Sequence, residues 1–347
     1  MTSDVEERAQ ALWAAATAGD EHAATDVAMA ALDAGIPMET LLLDIVADVQ
    51  SRIGRDWAAN RITVAQEHTA TAVNERVLDA LADRCGERAD SQPAPGRILV
   101  ACIDGEWHAF PARLLAEVLR GRGWHVDYLG GQVPTPHLVA QLHLTNPDVV
   151  ALSGSLAVRL PAAHGAITAC QAAGMPVVAG GPAFGADGRY ARLLGADAWA
   201  PDARAAADLL ATGPPPRRPA PGRRSPDDPR HLADPEYAEL TRSAPDVVRD
   251  VVEELARSVP DVPAATEQQL GRTAEHVAHL VDYLRAALYV DDPELFSSYV
   301  SWMSRVLTAR GVPAELLTSA LSALSDRLTA LPRARSTLAT ARAALRH

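Results

Sequence analysis

Apolar residues recur along the chain at two spacings, and the change between them divides it into parts. Up to about residue 86 the spacing is helical, which predicts a bundle of helices. From Arg97 onward, short and nearly continuous apolar runs alternate with segments of helical spacing, which predicts parallel strands joined by helices. After a stretch rich in proline and arginine, the spacing is helical again. The pattern therefore predicts an α/β fold combined with all-α regions.

These changes of spacing set the domain boundaries. We place a helical bundle at 1–87, an α/β domain at 96–212, an extended linker at 213–235 and a second helical domain at 236–347. In the bundle, Gly, Pro and Asn breaks separate predicted helices at Val5–Ala18, Asp20–Ala34, Met38–Gly54 and Val64–Ala82. Asp20 is a candidate N-cap, and Thr63 with Gln66 three residues later has the spacing of a capping box.

The α/β domain contains five strand–helix units. Strands are predicted near 97–103, 125–129, 148–153, 176–179 and 197–200. The intervening helices are predicted near 111–122, 135–145, 159–173, 187–194 and 203–212. Joined by right-handed crossovers, these units form a flavodoxin-like doubly wound parallel sheet. Such sheets bind their ligands beyond the carboxyl ends of the strands.

The second helical domain has no strand pattern. Helices are predicted near 236–258, 265–290, 293–310, 313–331 and 333–345. Pro293 and Pro313 suit first-turn positions. In the second of these helices His276, His279 and Tyr283 follow each other at i, i+3 and i+7, so they share one face. A polar and aromatic stripe of this kind is more often a satisfied helix interface than a cofactor site.

Composition narrows the functional class. The net charge is −12, the pI is about 5.4 and the basic residues are all arginine, which disfavours a nucleic-acid-binding surface. Cys85, Cys102 and Cys170 have no metal-binding spacing, and an odd number of cysteines is typical of a reducing cytoplasm. The sequence has neither an apolar run of about eighteen residues nor a signal-peptide core. We therefore expect a cytoplasmic protein that binds neither nucleic acid nor membrane.

The candidate chemistry centres on the loop after the first predicted strand, which contains Glu106-Trp107-His108. His108 stands where open α/β sheets hold their ligands. Neutral imidazole is a good ligand for a transition metal, and a neighbouring acid such as Glu106 can orient it. On its own, a loop histidine bonded to backbone would be the commoner explanation.

Three further features accompany this loop. The third strand ends in Ser153-Gly154-Ser155, the fourth ends in Gly180-Gly181, and Trp57 is followed ten residues later by Glu67-His68. In order and spacing these features resemble the cobalamin-binding module of methionine synthase, the corrinoid carrier proteins and the light-sensing cobalamin repressors. The family pattern is Asp-x-His-x-x-Gly, then Ser-x-Leu, then Gly-Gly, and the resemblance covers roughly residues 10 to 212.

Several positions depart from that pattern. Glu106 replaces an aspartate and lengthens the reach of the acid by one methylene, and Ser155 replaces a leucine. Pro111 replaces a glycine, which either narrows the channel for the nucleotide tail or starts the following helix. The light-sensing repressors have a second histidine directly after the tryptophan, where this chain has Ala58. A bis-histidine photoproduct made in that way is therefore excluded, and His68 is the nearby imidazole that could substitute.

The resemblance implies roles for these residues. His108 would replace the dimethylbenzimidazole of cobalamin as lower cobalt ligand, with Glu106 bonded to its other nitrogen and Trp107 beside it. The nucleotide tail would lie along a channel lined by Ser153, Ser155, Gly180 and Gly181. The helical bundle would cap the upper face of the corrin, where the contacts would be Trp57, Glu67 and His68. An ordinary core position is the alternative for the tryptophan.

The second helical domain carries the run Asp292-Pro293-x-x-Phe296-x-x-Tyr299-x-x-Trp302. A cobalamin module followed by a compact helical domain with this run resembles the photocobilins, bacterial photoreceptors that hold adenosylcobalamin in one domain and biliverdin in a globin-like neighbour. No cysteine follows Cys170, so the resemblance implies non-covalent binding of the bilin. The candidate bilin contacts are His276, His279, Asp282, Tyr283, Tyr289, Tyr299, Trp302 and Arg305.

The sequence thus predicts a photoreceptor rather than an enzyme, with adenosylcobalamin and biliverdin as chromophores and with self-association or a light-dependent protein partner as output. One alternative is a corrinoid carrier of methyl groups between methyltransferases, which the long second helical domain disfavours. Another is a haem globin fused to a cobalamin module, with His276 or His279 as axial ligand.

Overall fold

A computed structural model describes residues 2–86, 95–216, 235–258 and 267–345. The chain divides into two units, Met1–Arg223 and Arg224–His347. Most of the predicted linker at 213–235 lies outside the described residues. Among the helices that are described, none is long and apolar enough to cross a membrane.

The first unit begins with the helical bundle. Its elements are α1 (Thr2–Ala18), α2 (Glu21–Asp33), α3 (Met38–Thr40), a π-helical segment (Leu41–Val46), α4 (Ala47–Ala58) and α5 (Val64–Gly86). The side chain of Asp20 caps α2 by accepting from the Ala23 N–H at 2.9 Å. At α5 the Gln66 N–H donates to Thr63 Oγ1 at 3.2 Å, and the Thr63 N–H donates to Gln66 Oε1 at 3.0 Å. Both predicted caps are therefore confirmed.

The third predicted helix is longer than expected. It continues through Gly54 to Ala58, because a single glycine lowers helix stability without ending the helix. The end comes at Asn60, whose φ of +57° is left-handed and cannot continue a right-handed helix. Trp57 therefore lies in the last turn of α4, beyond the point where the sequence predicted the helix to end.

The sheet has the predicted doubly wound topology. Its strands are β1 (Arg97–Cys102), β2 (His125–Gly130), β3 (Val149–Ser153), β4 (Val177–Gly180) and β5 (Ala198–Ala200). The connecting helices are α6 (Phe110–Gly121), α7 (Thr135–Thr145), α8 (Leu160–Ala172), α9 (Arg189–Leu193) and α10 (Ala203–Leu210). All pairings are parallel and the order is β2-β1-β3-β4-β5, the flavodoxin-like order. The strand order reverses between β1 and β3, so the loops after these two strands meet at the ligand-binding edge.

The bundle and one face of the sheet share a single hydrophobic core. Leu12, Ile45 and Val77 of the bundle belong to the same buried cluster as Val100 of β1 and Val118 of α6. Burial of this apolar surface, at about 25 cal/mol per Å², is the main term that holds the bundle to the sheet.

Ion pairs cross the rim of this shared core. Arg122 donates to Glu39 at 2.7 and 3.1 Å, and Arg204 donates to Asp44 at 2.9 Å. The hydrogen bond from Arg122 is the largest influence on the pKa of Glu39, which lies below its usual value. These side chains are partly exposed, so each pair contributes only about 0–1 kcal/mol to stability.

The second unit has five helices in its described part: α11 (Pro235–Ser258), α12 (Glu267–Val290), α13 (Pro293–Ala309), α14 (Ala314–Arg327) and α15 (Pro332–Ala344). Glu236 of α11 accepts from the N–H groups of Arg333 and Ala334, both at 3.0 Å, and so caps α15. The globin-like architecture stays a prediction.

Two details of the second unit differ from the prediction. Pro293 begins α13 as expected, but Pro313 is the N-cap of α14 rather than a residue of its first turn. Helix α14 ends at Arg327 instead of 331. Leu331 precedes a proline, which disfavours the helical conformation, and its ψ is +84°.

Candidate functional site

Glu106 and His108 form a closely bonded pair in the loop between β1 and α6. His108 Nδ1 lies 2.6 Å from Glu106 Oε1, and the same oxygen accepts from the His108 backbone N–H at 2.9 Å. The other oxygen, Oε2, accepts from the backbone N–H groups of Ser155 at 2.8 Å and Leu156 at 3.0 Å. One buried carboxylate therefore joins the loop after β1 to the loop after β3.

These bonds set the charge of Glu106. Its side chain has no exposed surface, and burial alone would raise its pKa. The hydrogen bonds from His108, Ser155 and Leu156 outweigh burial and hold the pKa of Glu106 at about 2. The carboxylate is therefore ionised and can only accept, so the imidazole carries its proton on Nδ1.

This arrangement leaves the second imidazole nitrogen available to a ligand. With the proton on Nδ1, the lone pair of His108 Nε2 is available to a metal, and the imidazole is about one-third exposed. Trp107 stacks on the imidazole with ring centroids 3.9 Å apart, yet 56% of its own surface is exposed. An exposed indole beside an available nitrogen is the arrangement that a flat ligand could cover.

The donor set fits a metal that brings its own ligands. Among the described residues, no group of three or more His, Cys, Asp or Glu side chains is placed to hold a metal ion. A bare ion needs several protein ligands. A corrin ring would bring its own nitrogen ligands to cobalt, so that one further ligand from the protein would suffice. His108 can supply that ligand.

Pro111 is part of the start of the helix that follows the loop, which is one of the two effects that the sequence allowed. It lies in the first turn of α6, where its missing N–H removes no helical hydrogen bond. The substitution of the family's glycine therefore starts the helix directly after the Glu106–His108 loop.

Ser153 and Ser155 occupy different positions at the end of β3. Ser153 is buried, paired in register with Cys102 of β1 and Gly180 of β4. The contact that the structure gives Ser155 with the site is its backbone N–H, bonded to Glu106. Because a backbone donor needs no particular side chain, the departure from leucine at this position leaves that contact intact.

The paired glycines permit two loops to approach closely. Gly181 has a φ of +99°, and a Cβ on it would lie 2.4 Å from the carbonyl oxygen of Gly154. A Cβ on Gly154 would in turn lie 2.4 Å from Ile103 Cδ1. A larger residue at Gly181 would force the loops after β3 and β4 apart, whereas at Gly154 the nearest clash falls on the side chain of Ile103, directly after β1. Gly180 is less constrained, since its Cβ would lie 3.1 Å from the Ala200 carbonyl oxygen.

The bundle presents the three other predicted residues at the turn from α4 to α5. Trp57 is half-buried and packs on the shared core. Glu67 is partly buried, and His68 is exposed, with its Nδ1 2.7 Å from Glu67 Oε2. This second carboxylate–imidazole pair resembles Glu106–His108, because in both the acid contacts Nδ1.

Sequence reasoning missed Asp56, which fixes this turn. It is almost fully buried and accepts from Trp13 Nε1 at 3.1 Å and from Arg61 Nε at 2.7 Å. An acid in the last turn of a helix interacts unfavourably with the helix dipole, and this unusual position could have singled out Asp56 in the sequence. Asp56 ties the turn to α1 and so restrains Trp57 beside it.

Of the predicted polar stripe of the second unit, Tyr283 is partly buried. His276 and His279 are both exposed, so these two candidate bilin contacts lie outside the interior of the unit. The reason is rotation of the helix: Val277, Leu280 and Leu284 form the buried face of α12 instead. Neither histidine lies in an interior pocket, as axial ligation of haem within this unit would require.

Aromatic rings are brought together between α12 and α13. Tyr283 stacks on the buried Tyr299 with ring centroids 3.5 Å apart and an interplanar angle of 5°. Trp302 lies 6.0 Å from Tyr299 and is partly exposed. Burial raises the pKa of Tyr299 above its usual value. Of the other candidates, Asp282 accepts from Arg285 at 2.9 Å, Tyr289 packs edge-on against Tyr237, and Arg305 is exposed.

Comparison with known protein families defines the first unit. Residues 96–210 match a family model described as B12 binding domain, and residues 8–82 match a second model with the same description. The first unit therefore carries B12-binding domains, an α/β domain with a parallel sheet and a helical cap that precedes it.

Two curated relatives are each similar to a part of the chain. The chain is 36% identical over 126 residues to the HTH-type transcriptional repressor CarA of Myxococcus xanthus, covering 35% of this chain and 41% of the relative. It is 24% identical over 135 residues to trimethylamine corrinoid protein 1 of Methanosarcina acetivorans, covering 39% of this chain and 62% of the relative. The chain thus spans less than two thirds of either curated relative.

A solved structure shares the fold. The monomethylamine corrinoid protein of Methanosarcina barkeri superposes with a TM-score of 0.50 at 18% identity, covering 58% of this chain and 95% of that protein. At this level of identity the likeness concerns the fold alone.

Proposed function

We propose that this protein is a photoreceptor that binds adenosylcobalamin with His108 as lower cobalt ligand. The observation that carries the proposal is the Glu106–His108 pair, 2.6 Å apart, at the switch point of a sheet within the B12-binding segment. When bound, adenosylcobalamin supplies a cobalt–carbon bond that visible light can break.

Glu106 has two tasks in this proposal. It keeps the proton of His108 on Nδ1, which directs the Nε2 lone pair to the metal. It is itself restrained by the backbone donors of Ser155 and Leu156, so the imidazole does not have to be ordered when the ligand binds. Trp107 restricts the ring on one face by stacking.

The cap provides the upper face in this proposal. Trp57, Glu67 and His68 belong to residues 8–82, the segment that matches the second B12-binding model. We assign the half-buried indole of Trp57 to contact with the adenosyl group. Loss of that group would remove part of the packing of α4, and repacking of the cap would change self-association or binding of a protein partner.

A corrinoid methyl carrier is the alternative, and the similarity to trimethylamine corrinoid protein 1 favours it. A carrier must expose its upper cobalt face to a methyltransferase and would bind methylcobalamin as readily as adenosylcobalamin. Preference for the adenosyl form and a response to light therefore separate the two functions.

For the second unit we propose non-covalent binding of biliverdin. The support is the Asp292-to-Trp302 run and the stacked rings of Tyr283 and Tyr299, which continue to the partly exposed Trp302. Flat aromatic surfaces of this kind suit a tetrapyrrole. The exposed histidines contribute less support than the sequence suggested.

The deciding experiment uses the full-length protein, reconstituted in the dark with adenosylcobalamin or with methylcobalamin. We expect a stable complex with the adenosyl form, a visible-spectrum change on green illumination, and a shift in elution volume on size exclusion. A contrary result is that illumination changes the cofactor spectrum but not the elution of the protein, either alone or with a candidate partner. That result would contradict the proposed signalling role. Equal binding of both forms would establish the carrier alternative.

A further inference from the structure

A string of side-chain hydrogen bonds runs through the cap and ends on Glu67. Asn74 Nδ2 donates to Gln50 Oε1 at 2.9 Å, and Gln50 Nε2 donates to Thr71 Oγ1 at 2.8 Å. The Thr71 hydroxyl then donates to Glu67 Oε1 at 3.1 Å. Each residue donates to the next, and the last donor, Thr71, donates to the carboxylate of Glu67.

The string bridges the two helices that carry the proposed upper-face residues. Glu67, Thr71 and Asn74 stand at i, i+4 and i+7 of α5 and share one face. Gln50 belongs to α4, seven residues before Trp57, and so lies on the same side of α4 as the tryptophan. The two helices are therefore coupled by polar contacts between the sides that carry their predicted cofactor residues.

Asn74, at the inner end of the string, is a residue that stability of the fold does not explain. Asn74 has no exposed surface, and among the described residues no donor reaches its Oδ1. A buried acceptor without a donor destabilises the fold, and leucine would avoid that cost. Asn74 does contribute one useful bond, the donor that fixes the amide of Gln50.

The outer end of the string is a pair of hydrogen-bond acceptors. Glu67 is held from both sides, by Thr71 on Oε1 and by His68 Nδ1 on Oε2 at 2.7 Å. Since the carboxylate accepts from Nδ1–H, the exposed imidazole presents Nε2 as an acceptor. The remaining lone pairs of Glu67 and the Nε2 of His68 together suit a ligand that carries hydroxyl donors.

We propose that Thr71, Gln50 and Asn74 are positioning residues that fix Glu67 and, through it, the tautomer of His68, and so favour an upper ligand with hydroxyl groups over a methyl group. The ribose of an adenosyl group has such hydroxyls. The inference rests on the proposed function, because it assumes that the cap covers the upper face of the cofactor.

The test measures dissociation constants for adenosylcobalamin and methylcobalamin in the dark, and takes their ratio for each variant. Thr71→Val, which keeps the shape and removes the hydroxyl, should reduce the preference for the adenosyl form about five-fold, the effect of one net hydrogen bond. Thr71→Ser should restore it. Gln50→Leu and Asn74→Leu should have progressively smaller effects, because they act through the residues between them and Glu67.

Two further measurements keep the outcome interpretable. Thr69→Val, an exposed change on the same helix, is the matched control and should keep the wild-type ratio. In the protein without cofactor, ¹⁵N chemical shifts of His68 should show a smaller Nδ1–H fraction in Thr71→Val than in wild type. If Thr71→Val does not fold, Gln50→Leu provides the same comparison.

The possible failures are distinct. If the wild-type protein does not prefer adenosylcobalamin, the proposed function itself is wrong. If the wild type prefers it and Thr71→Val keeps both the ratio and the His68 tautomer, the positioning role is wrong. An equal fall of the ratio in Thr69→Val would show a general loosening of α5 and would also contradict the positioning role.

Discussion

The backbone N–H of Ser155 donates to Glu106 Oε2 at 2.8 Å, although the two residues are 49 positions apart in sequence. The acid that orients His108 is therefore held by the loop after β3. The adjoining strand in effect builds part of the His108 site without contributing a side chain.

The first prediction is that Glu106→Gln lowers cobalamin affinity about 10–100-fold, the usual effect of changing the partner of a metal-binding histidine. Both oxygens of Glu106 accept N–H donors, so the amide NH₂ of glutamine must face one of them. Equilibrium titration followed by absorbance measures the change. Asp104→Asn alters an exposed acid of the same loop and should leave affinity unchanged; equal loss in both variants would contradict a specific role for Glu106.

The second prediction concerns acid stability. The pKa of Glu106 is about 2 in the folded protein against an ordinary 4.5, since hydrogen bonds outweigh the effect of burial. A depressed pKa adds stability above pH 4.5 that is lost as the pH falls from 4.5 towards 2, on the order of 3 kcal/mol for such a shift. Urea unfolding at several pH values should therefore show a smaller loss over this range in Glu106→Gln than in wild type. Parallel losses would mean that Glu106 is not specially stabilised.

The third prediction is that His108→Ala removes the lower ligand. The variant should bind cobalamin more weakly, and any bound cofactor should lose the spectrum of histidine ligation. His143→Ala removes an exposed histidine of α7 and serves as control. A bound-cofactor spectrum identical to wild type would exclude His108 as the ligand.

The fourth prediction is that Trp57→Ala reduces the preference for adenosylcobalamin over methylcobalamin. The indole is half-buried in the last turn of α4, and removing it leaves part of an upper-face surface without packing. Trp57→Phe should retain part of the preference. The ratio of the two dissociation constants is the measurement, and an unchanged ratio in Trp57→Ala would assign Trp57 to the core alone.

The fifth prediction concerns the bilin. Full-length protein incubated with biliverdin should develop a shifted red band, and zinc staining after denaturing electrophoresis should detect no covalently bound bilin. Trp302→Ala, at the exposed end of the aromatic group, should weaken the band more than His276→Ala. If the wild-type protein develops no red band, the proposal of biliverdin binding is wrong and only cobalamin binding remains.

Local signals in the sequence predicted most of the fold. Each strand was placed to within one residue at either end, because buried parallel strands are short apolar runs with polar boundaries. The caps at Asp20 and Thr63 were also predicted correctly, since capping depends on residues three positions apart. The predicted end of helix α4 was four residues too early, because the helix is ended by the left-handed Asn60 and not by Gly54.

The candidate site was less accessible to sequence reasoning. The Glu106–His108 pair could be anticipated, because both residues lie in one short loop. The donors from Ser155 and Leu156, and the approach of Gly181 to Gly154, join segments that only the sheet brings together. In α12 the helical period correctly grouped His276 and His279, but the period alone does not say which face turns inward.

Under the proposed function, the shared core of bundle and sheet limits how a signal can leave the cofactor site. Lifting the cap away would expose the buried surfaces of both partners, including Ile45 and Val118, and the ion pairs at the rim contribute too little to decide the outcome. Sliding of α4 and α5 over the sheet would keep these surfaces covered. The natural response of this architecture is thus a shear of small amplitude, and a partner that detects it must contact the moving helices directly.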